Sequence, residues 1–143
     1  MALPWDTYPH YFARLAAYAA NLEAETAGQM ASSRLAGQVQ GAVATPEEIL
    51  AVMRFGDLAH AATVEDQIKV RITVSEPTTW SRVLQALEGT FRMLEDGERP
   101  ALGGASAAGY AVAVLPEHLA PAGWPVENRD FPSAFTIEIS VRP

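Results

Sequence analysis

The histidines and cysteines are the side chains most able to bind a metal ion, and the chain has three histidines and no cysteine. His10, His60 and His118 lie far apart, and no two of them have the spacing of ligands on one helix or one hairpin. Asp57 and His60 would share a helical face, but two ligands do not complete a site. We therefore predict no metal site.

Two glycine-containing patterns match known catalytic motifs only in part. Ser106 follows Gly104 and Ala105, but a nucleophile elbow needs a strand before it and a helix after it, whereas a loop and then a strand are expected here. Gly104 and Gly109 have the spacing of a phosphate loop, yet Tyr110 follows where the motif has lysine. We expect no catalytic residue, no cofactor, and no metal or nucleotide that raises the melting temperature. The expectation is that the chain is not an enzyme, although a site assembled from scattered residues stays open.

Composition limits the possible partners. The chain has 143 residues, 10 basic and 17 acidic, and its formal net charge of −7 disfavours binding to nucleic acid or to anionic membranes. The N-terminus lacks the basic and apolar regions of a secretory signal, and no apolar run is long enough to span a bilayer. We expect a cytoplasmic protein, or a part of something assembled there.

Two segments alternate apolar and polar residues in the way that a half-buried strand does. They are 66–75 and 134–142. Their inward residues would be Ile68, Val70, Ile72, Val74, Phe135, Ile137, Ile139 and Val141, and their outward residues Lys69, Arg71, Thr73, Thr136, Glu138, Ser140 and Arg142. If the two strands pair, Glu138 is the natural partner of Lys69 or Arg71. Residues 109–115 are a third predicted strand.

Three helices should cover the apolar face of this sheet. The first is predicted at about 8–33, and the second begins at Thr45, with Pro46 and Glu48 completing a capping box. The third follows 76–79 and carries the longest apolar stripe, from Trp80 to Leu94. We predict an α+β fold in which a small, mostly antiparallel sheet has one face covered by amphipathic helices, with a long N-terminal helix. One domain, 1–143, would contain a helical part at about 7–60 and a sheet-plus-helix part at about 64–143.

The order of these elements resembles that of the tail-terminator proteins of long-tailed bacteriophages, which belong to the head–tail neck. A strand leads directly into an amphipathic helix, and a Gly-Tyr strand, a loop with a tryptophan and a terminal alternating strand follow. The resemblance covers about the second half of the chain, in the segments 67–74, 80–94, 109–110 and 133–140. In the first half, the family has an early strand, which residues 39–43 could supply.

This resemblance implies a viral structural protein that assembles with itself into a hexameric ring at the end of the phage tail. Its other partners would be tail-tube and neck or connector proteins, and its location the virion. Trp124 would be an anchor of the ring interface or, alternatively, a lid on its own core. Partly buried packing is the favoured role of the two tyrosines of the first helix, and an interface is the alternative. The expected interface residues are Tyr11, Tyr18, Lys69, Arg71, Leu102, Trp124, Phe131, Glu138 and Arg142.

Two other classes of function stay open at this point. The first is a cytoplasmic small-molecule-binding domain or small enzyme, with a pocket between helix 79–95 and the sheet, near Tyr110 and Trp124. The second is an immunity-type or regulatory partner that binds one other protein. Two long loops are expected at 96–106 and 116–132, and the second is long enough that a purely passive role would be unusual.

Overall fold

A sheet of four strands carries helices on one of its faces. The computed structural model describes residues 4–56, 67–94, 109–124 and 131–141. Its elements, in chain order, are α1 (Pro4–Thr7), α2 (Tyr11–Ser32), β1 (Gln38–Val43), α3 (Pro46–Phe55), β2 (Ile68–Val74), α4 (Pro77–Glu88), β3 (Gly109–Val114), a 3₁₀ turn (Glu117–Leu119) and β4 (Ala134–Val141).

The strand order of the sheet is β1-β2-β4-β3. The two central strands, β2 and β4, are parallel, whereas β1 and β3 pair with them antiparallel at the edges. The predicted α+β class, the mostly antiparallel sheet and the long N-terminal helix are confirmed. In the described part of the chain, no helix is both long and apolar enough to cross a membrane.

The core lies between the sheet and the two longer helices, α2 and α4. Period-two alternation turns every second residue of β2 and β4 toward the helices, as the sequence predicts. Leu15 and Leu22 of α2 and Val83 and Leu87 of α4 meet them, all at 0% exposure. The strand residues of this core are Ile68, Val70, Ile72, Val74, Phe135, Ile137 and Ile139.

The strand β1 approaches α2 so closely that only glycine fits at one point. A Cβ on Gly41 would lie 2.7 Å from the carbonyl oxygen of Ala19. The Gly41 amide also donates a hydrogen bond of 2.9 Å to Oε1 of Glu23, so the helix partly covers the edge of the sheet. This contact fixes the helix layer against the edge strand.

The predicted capping box of the second helix is confirmed at the start of α3. The Thr45 hydroxyl accepts from the Glu48 amide, and Oε1 of Glu48 accepts from the Thr45 amide, both at 3.2 Å. Pro46 occupies the first turn, where no amide donor is needed. Behind this turn, Ile49 and Met53 form a small second cluster with Ala44.

The structure differs from the sequence-based expectation in two elements. An early strand forms at Gln38–Val43, where the sequence indicated a strand at 39–43 only as one possibility. The helix predicted at about 79–95 begins at Pro77 and ends at Glu88, because Gly89 follows and the amides of Thr90 and Phe91 both turn back to the carbonyl of Leu87. Phe91 is nevertheless buried, which explains why the apolar stripe continued past the end of the helix.

Candidate functional site

Polar side chains cover the face of the sheet that the helices leave uncovered. The same alternation that buries one set of strand residues places the next set on this opposite face. We call it the polar face, and its members are Gln38, Gln40, Lys69, Arg71, Thr73, Thr136, Glu138 and Ser140.

The register of the strands arranges these residues in rows across the sheet. The central row joins Gln40 to Arg71 and Arg71 to Glu138, with the backbone of Tyr110 paired to Glu138 on the far side. Neighbouring strands are about 4.8 Å apart, so the three side chains from Gln40 to Glu138 span roughly 10 Å. The cationic side chain of Arg71 thus lies between the amide of Gln40 and the carboxylate of Glu138.

Two further rows flank the central one. On one side, Gln38, Thr73 and Ser140 follow in register and contribute an amide and two hydroxyl groups. On the other side, Lys69 pairs with Thr136. The face is closed at this Lys69 end, where Thr136 is 2% exposed, and it opens toward the hydroxyl row.

A cleft of about 680 Å³ occupies the open part of the polar face. Its described lining residues are Gln38, Val39, Gln40, Arg71, Thr73, Glu138 and Ser140. Such a volume is within the range of small-molecule sites, and the lining is dominated by groups that form hydrogen bonds.

The charges of the cleft are unequally paired. Nζ of Lys69 lies 3.4 Å from Oε2 of Glu138, which confirms the predicted ion pair between the two strands. Arg71 is exposed, and within the described residues its guanidinium forms no ion pair or hydrogen bond. A planar guanidinium next to hydroxyl and amide donors suits a phosphate or carboxylate ligand.

A divalent cation would find few protein ligands on this face. Glu138 is the one carboxylate among the described residues that line the cleft. Over the described ranges, no three His, Asp or Glu side chains come together as a metal site would require. Magnesium that arrives with a nucleotide is commonly held by one or two carboxylates and by the phosphates themselves, and Glu138 could serve as such a ligand.

The predicted interface residues fall in three places. Lys69, Arg71 and Glu138 share the polar face, as described above. Tyr11 and Tyr18 are in the core, at 0% and 1% exposure. Trp124 and Phe131 lie in the connection between β3 and β4. Leu102 and Arg142 lie outside the described residues.

Aromatic packing explains the positions of four of these residues. The ring of Trp124 contacts Tyr18 edge-on at 4.7 Å and Phe131 at 5.0 Å between centroids. Phe131 in turn lies 4.8 Å from Tyr11. The cluster attaches the connection between β3 and β4 to α2, and the partly buried Trp124 packs against the core.

The hydroxyl of Tyr18 is part of the same attachment. It donates a hydrogen bond to the carbonyl oxygen of Pro116, just after β3. Burial, and secondarily the charge of Glu117, raise the pKa of Tyr18 to about 12 from its ordinary 10.0. The phenol therefore remains a donor throughout the neutral range.

Over the described residues, the space between α4 and the sheet, where a pocket was expected, is filled by buried side chains such as Val83, Leu87 and Phe135. A smaller cavity of about 180 Å³ lies beside Tyr18 and Trp124. The larger polar cleft is on the opposite face of the sheet, so it is the better candidate site.

Sequence reasoning missed the two glutamines that β1 adds to the cleft. Gln38 and Gln40 alternate with Val39 and Gly41, so the period of a strand is present. Gly37 and Gly41 concealed this strand pattern, because glycine is unfavourable in strands.

Comparison with solved structures identifies proteins of the same fold. The small alarmone synthetase 1 from Bacillus subtilis bound to AMPCPP superposes with a TM-score of 0.69 at 14% identity, covering 94% of this chain and 70% of that one. A second structure of the same synthetase gives a TM-score of 0.69 at 15% identity, covering 95% and 71%. No family model and no curated protein sequence matches the chain.

These comparisons correct the functional expectation from the sequence. The resemblance to phage tail terminators is wrong, and so are the structural role in a virion and the expectation that the chain is not an enzyme, because the matching structures belong to a synthetase. The order of helices and strands along a chain does not specify how the strands pair. The chain has the fold of these solved structures, and its own strand order is β1-β2-β4-β3 with a parallel β2–β4 pair.

Proposed function

We propose that this chain is a small nucleotide-binding enzyme and that the cleft on the polar face is its substrate site. The proposal takes up the small-enzyme alternative and moves its site to the other face of the sheet. It also reverses the expectation that nucleotides leave the melting temperature unchanged.

The observation that carries the proposal is the central row of the polar face. Gln40, Arg71 and Glu138 come from three strands and meet in register in one open cleft. Arg71 is exposed and, among the described residues, forms no ion pair, so its guanidinium fork is open to a ligand, and this fork is suited to a phosphate group. The fold likeness adds support, since one matching synthetase was solved with the nucleotide AMPCPP.

The row also offers the groups that a transfer reaction needs. Arg71 would bind and orient the phosphates of a nucleoside triphosphate, and the hydroxyls of Thr73 and Ser140 would bind its polar atoms at the open end. Glu138 would accept the proton from an attacking hydroxyl, or a hydrogen bond from it. Magnesium bound to the phosphates would neutralise charge when present.

Calorimetric titration of the full chain with AMPCPP and magnesium tests the proposal. We expect binding by the unmodified chain and a loss of about tenfold to a hundredfold in affinity for Arg71→Ala, as for one charge-assisted hydrogen bond. Arg82→Ala is the matched control, because Arg82 is an exposed arginine on α4 and lies on the helical side of the sheet.

Two outcomes would overturn the proposal. One is the absence of any heat of binding with the unmodified chain at millimolar nucleotide. The other is equal affinity in Arg71→Ala and Arg82→Ala, which would place the nucleotide elsewhere on the chain. Melting curves of both variants verify that each is folded.

A further inference from the structure

We propose that the small cavity beside Tyr18 and Trp124 binds a quaternary ammonium group, held by the two aromatic rings and by the carboxylate of Glu117. The inference goes beyond the proposed function and does not depend on it, because the cavity and the polar cleft have no described lining residue in common. The ligand class is a trimethylammonium group, on a free small molecule or at the end of a modified side chain.

The size of the cavity is the first support. Its volume is about 180 Å³, and it lies between α2, the end of β3 and the 3₁₀ turn. A cavity of ~150 Å³ holds a ligand of about six heavy atoms, such as benzene. Sites for drug-sized ligands begin at about 300 Å³, so this cavity suits a smaller group.

The aromatic rings are the second support. The centroids of Tyr18 and Trp124 are 4.7 Å apart, and the ring planes meet at 84°. Cages for methylated ammonium groups are built from aromatic side chains, because the π face of each ring attracts a cation. The Tyr18 hydroxyl donates to the carbonyl of Pro116, which fixes this ring at the wall of the cavity.

The charge of the lining is the third support. Glu117 is the one charged residue among the described residues that line the cavity, and within that part of the chain its carboxylate forms no ion pair. Burial, followed by the charge of Glu117, raises the pKa of Tyr18 to about 12, so the field of the carboxylate reaches the cavity wall. A lining with one uncompensated negative charge favours a cation.

The scarcity of hydrogen-bond acceptors favours a quaternary ammonium group over a primary amine. The side-chain oxygens of the described lining belong to Glu117, Ser133 and Tyr18, and the Tyr18 hydroxyl is already engaged. A primary ammonium has three N–H donors that need acceptors, whereas methyl groups need none. The remaining described lining residues are apolar or aromatic, and they suit methyl groups.

A positive charge next to the cavity gives a test of sign. A Cβ at Gly123 would lie 3.2 Å from Nη2 of Arg14, so this guanidinium packs against the backbone next to Trp124. Arg14 is not among the described lining residues, so its charge opposes a cation without occupying the space. Arg14→Gln should therefore not weaken the binding of a cation, whereas Glu117→Gln should.

The experiment titrates the ¹⁵N-labelled full chain with choline and with dimethylbutanol, its neutral isostere with carbon in place of nitrogen, at constant ionic strength. Backbone amides of Leu115 and Glu117 report binding in ¹H–¹⁵N spectra. We expect saturable shifts at millimolar choline and an affinity about fivefold or more above that of the isostere. A short peptide with one trimethyllysine is titrated in parallel, and whichever ammonium ligand binds more tightly identifies the source of the group.

Variants of the cavity separate the contributions to binding. Trp124→Leu keeps an apolar side chain without a ring and should weaken choline binding about fivefold or more, whereas Trp124→Phe should retain most of it. Glu117→Gln should weaken choline binding several-fold and leave the isostere unaffected. Glu47→Gln is the control, because Glu47 is an exposed carboxylate at the start of α3 and does not line the cavity.

The inference is overturned if the isostere binds as tightly as choline, if Glu117→Gln keeps the full choline affinity, if Arg14→Gln weakens it, or if neither ammonium ligand gives saturable shifts. Melting curves verify that each variant is folded. Should Trp124→Leu not fold, the exposed Glu117 still provides the decisive variant. Failure of this inference leaves AMPCPP binding at the polar face unchanged, and failure of the proposed function leaves choline binding unchanged.

Discussion

Replacing Gly41 by alanine should destabilise the protein, whereas the same change at Gly28 should stabilise it. A Cβ at position 41 would lie 2.7 Å from the Ala19 carbonyl oxygen, about 0.7 Å closer than the 3.4 Å at which ordinary contact begins. The obstacle is helix backbone rather than a flexible side chain, so α2 or β1 must move. Overpacking of this kind costs ~1–3 kcal/mol.

Gly28 is the matched control because it tests the same substitution in open space. It lies within α2, is exposed, and would place its Cβ with nothing inside 4 Å. Alanine is favoured over glycine by about 0.8–1 kcal/mol in a helix interior. The two substitutions should therefore change the free energy of unfolding in opposite directions.

Thermal unfolding followed by circular dichroism measures both effects. For a domain of this size, 1 kcal/mol corresponds to roughly 3–4 °C in Tm. Gly41→Ala should lower Tm by about 3–10 °C and Gly28→Ala should raise it by about 3 °C. A Gly41→Ala variant as stable as the unmodified chain would refute the close contact between α2 and β1. It would also refute the conclusion that α2 covers the β1 edge of the sheet.

Three further substitutions test other parts of the fold. Ile72→Asp should prevent folding, because it puts a charge at a position of 0% exposure, whereas Thr73→Asp on the polar face should fold. Soluble yield and far-UV circular dichroism measure folding of the two variants, and equal behaviour of the two would contradict the assignment of faces. The pKa of Tyr18 is raised to about 12, so its contribution to stability is complete below pH 10 and is lost as the pH rises toward 12, by up to about 2 kcal/mol. Urea unfolding of the unmodified chain should show this loss of stability between pH 10 and 12. The Tyr18→Phe variant should not lose this increment of stability over the same pH range. Thr45→Ala removes one side of the capping box and should lower the free energy of unfolding by about 1 kcal/mol in urea, and an unchanged midpoint would show that α3 does not depend on its cap.

The parts of the fold that local patterns specify could be predicted from the sequence. Alternation in β2 and β4 assigned the two faces and named Glu138 as a partner for Lys69 or Arg71, and the structure pairs it with Lys69. Two burial assignments were wrong, because Val141, predicted inward, is 39% exposed at the end of β4 and Thr136, predicted outward, is 2% exposed. The cap at Thr45 located the start of α3 within one residue. These features depend on neighbours along the chain or on a simple period.

The remaining parts depend on contacts that no local pattern encodes. β1 has glycine at position 41 because α2 crosses it there, so the strand lacked a strand-like composition. The stripe through Phe91 indicated a longer helix because Phe91 is buried, although it follows the end of α4. Tertiary contacts determined both features.

The candidate site was missed for a related reason. Gln40, Arg71 and Glu138 are widely separated in sequence and meet only because β2 lies between β1 and β4. A search for contiguous motifs cannot find such a site, and the absence of motifs was therefore poor evidence against an enzyme. The polar residues were predicted to face outward, but without the strand order their convergence was not apparent.

The most direct test of the central claim is to map nucleotide binding on the chain itself. In ¹H–¹⁵N spectra of the ¹⁵N-labelled full chain, titration with AMPCPP and magnesium should shift backbone amides of β1, β2 and β4 that border the cleft, at Gln40, Arg71, Thr73 and Ser140. Amides around the small cavity at Trp124 should move little. Shifts confined to that second cavity, or no saturable shifts at all, would contradict the assignment of the polar face as the nucleotide site.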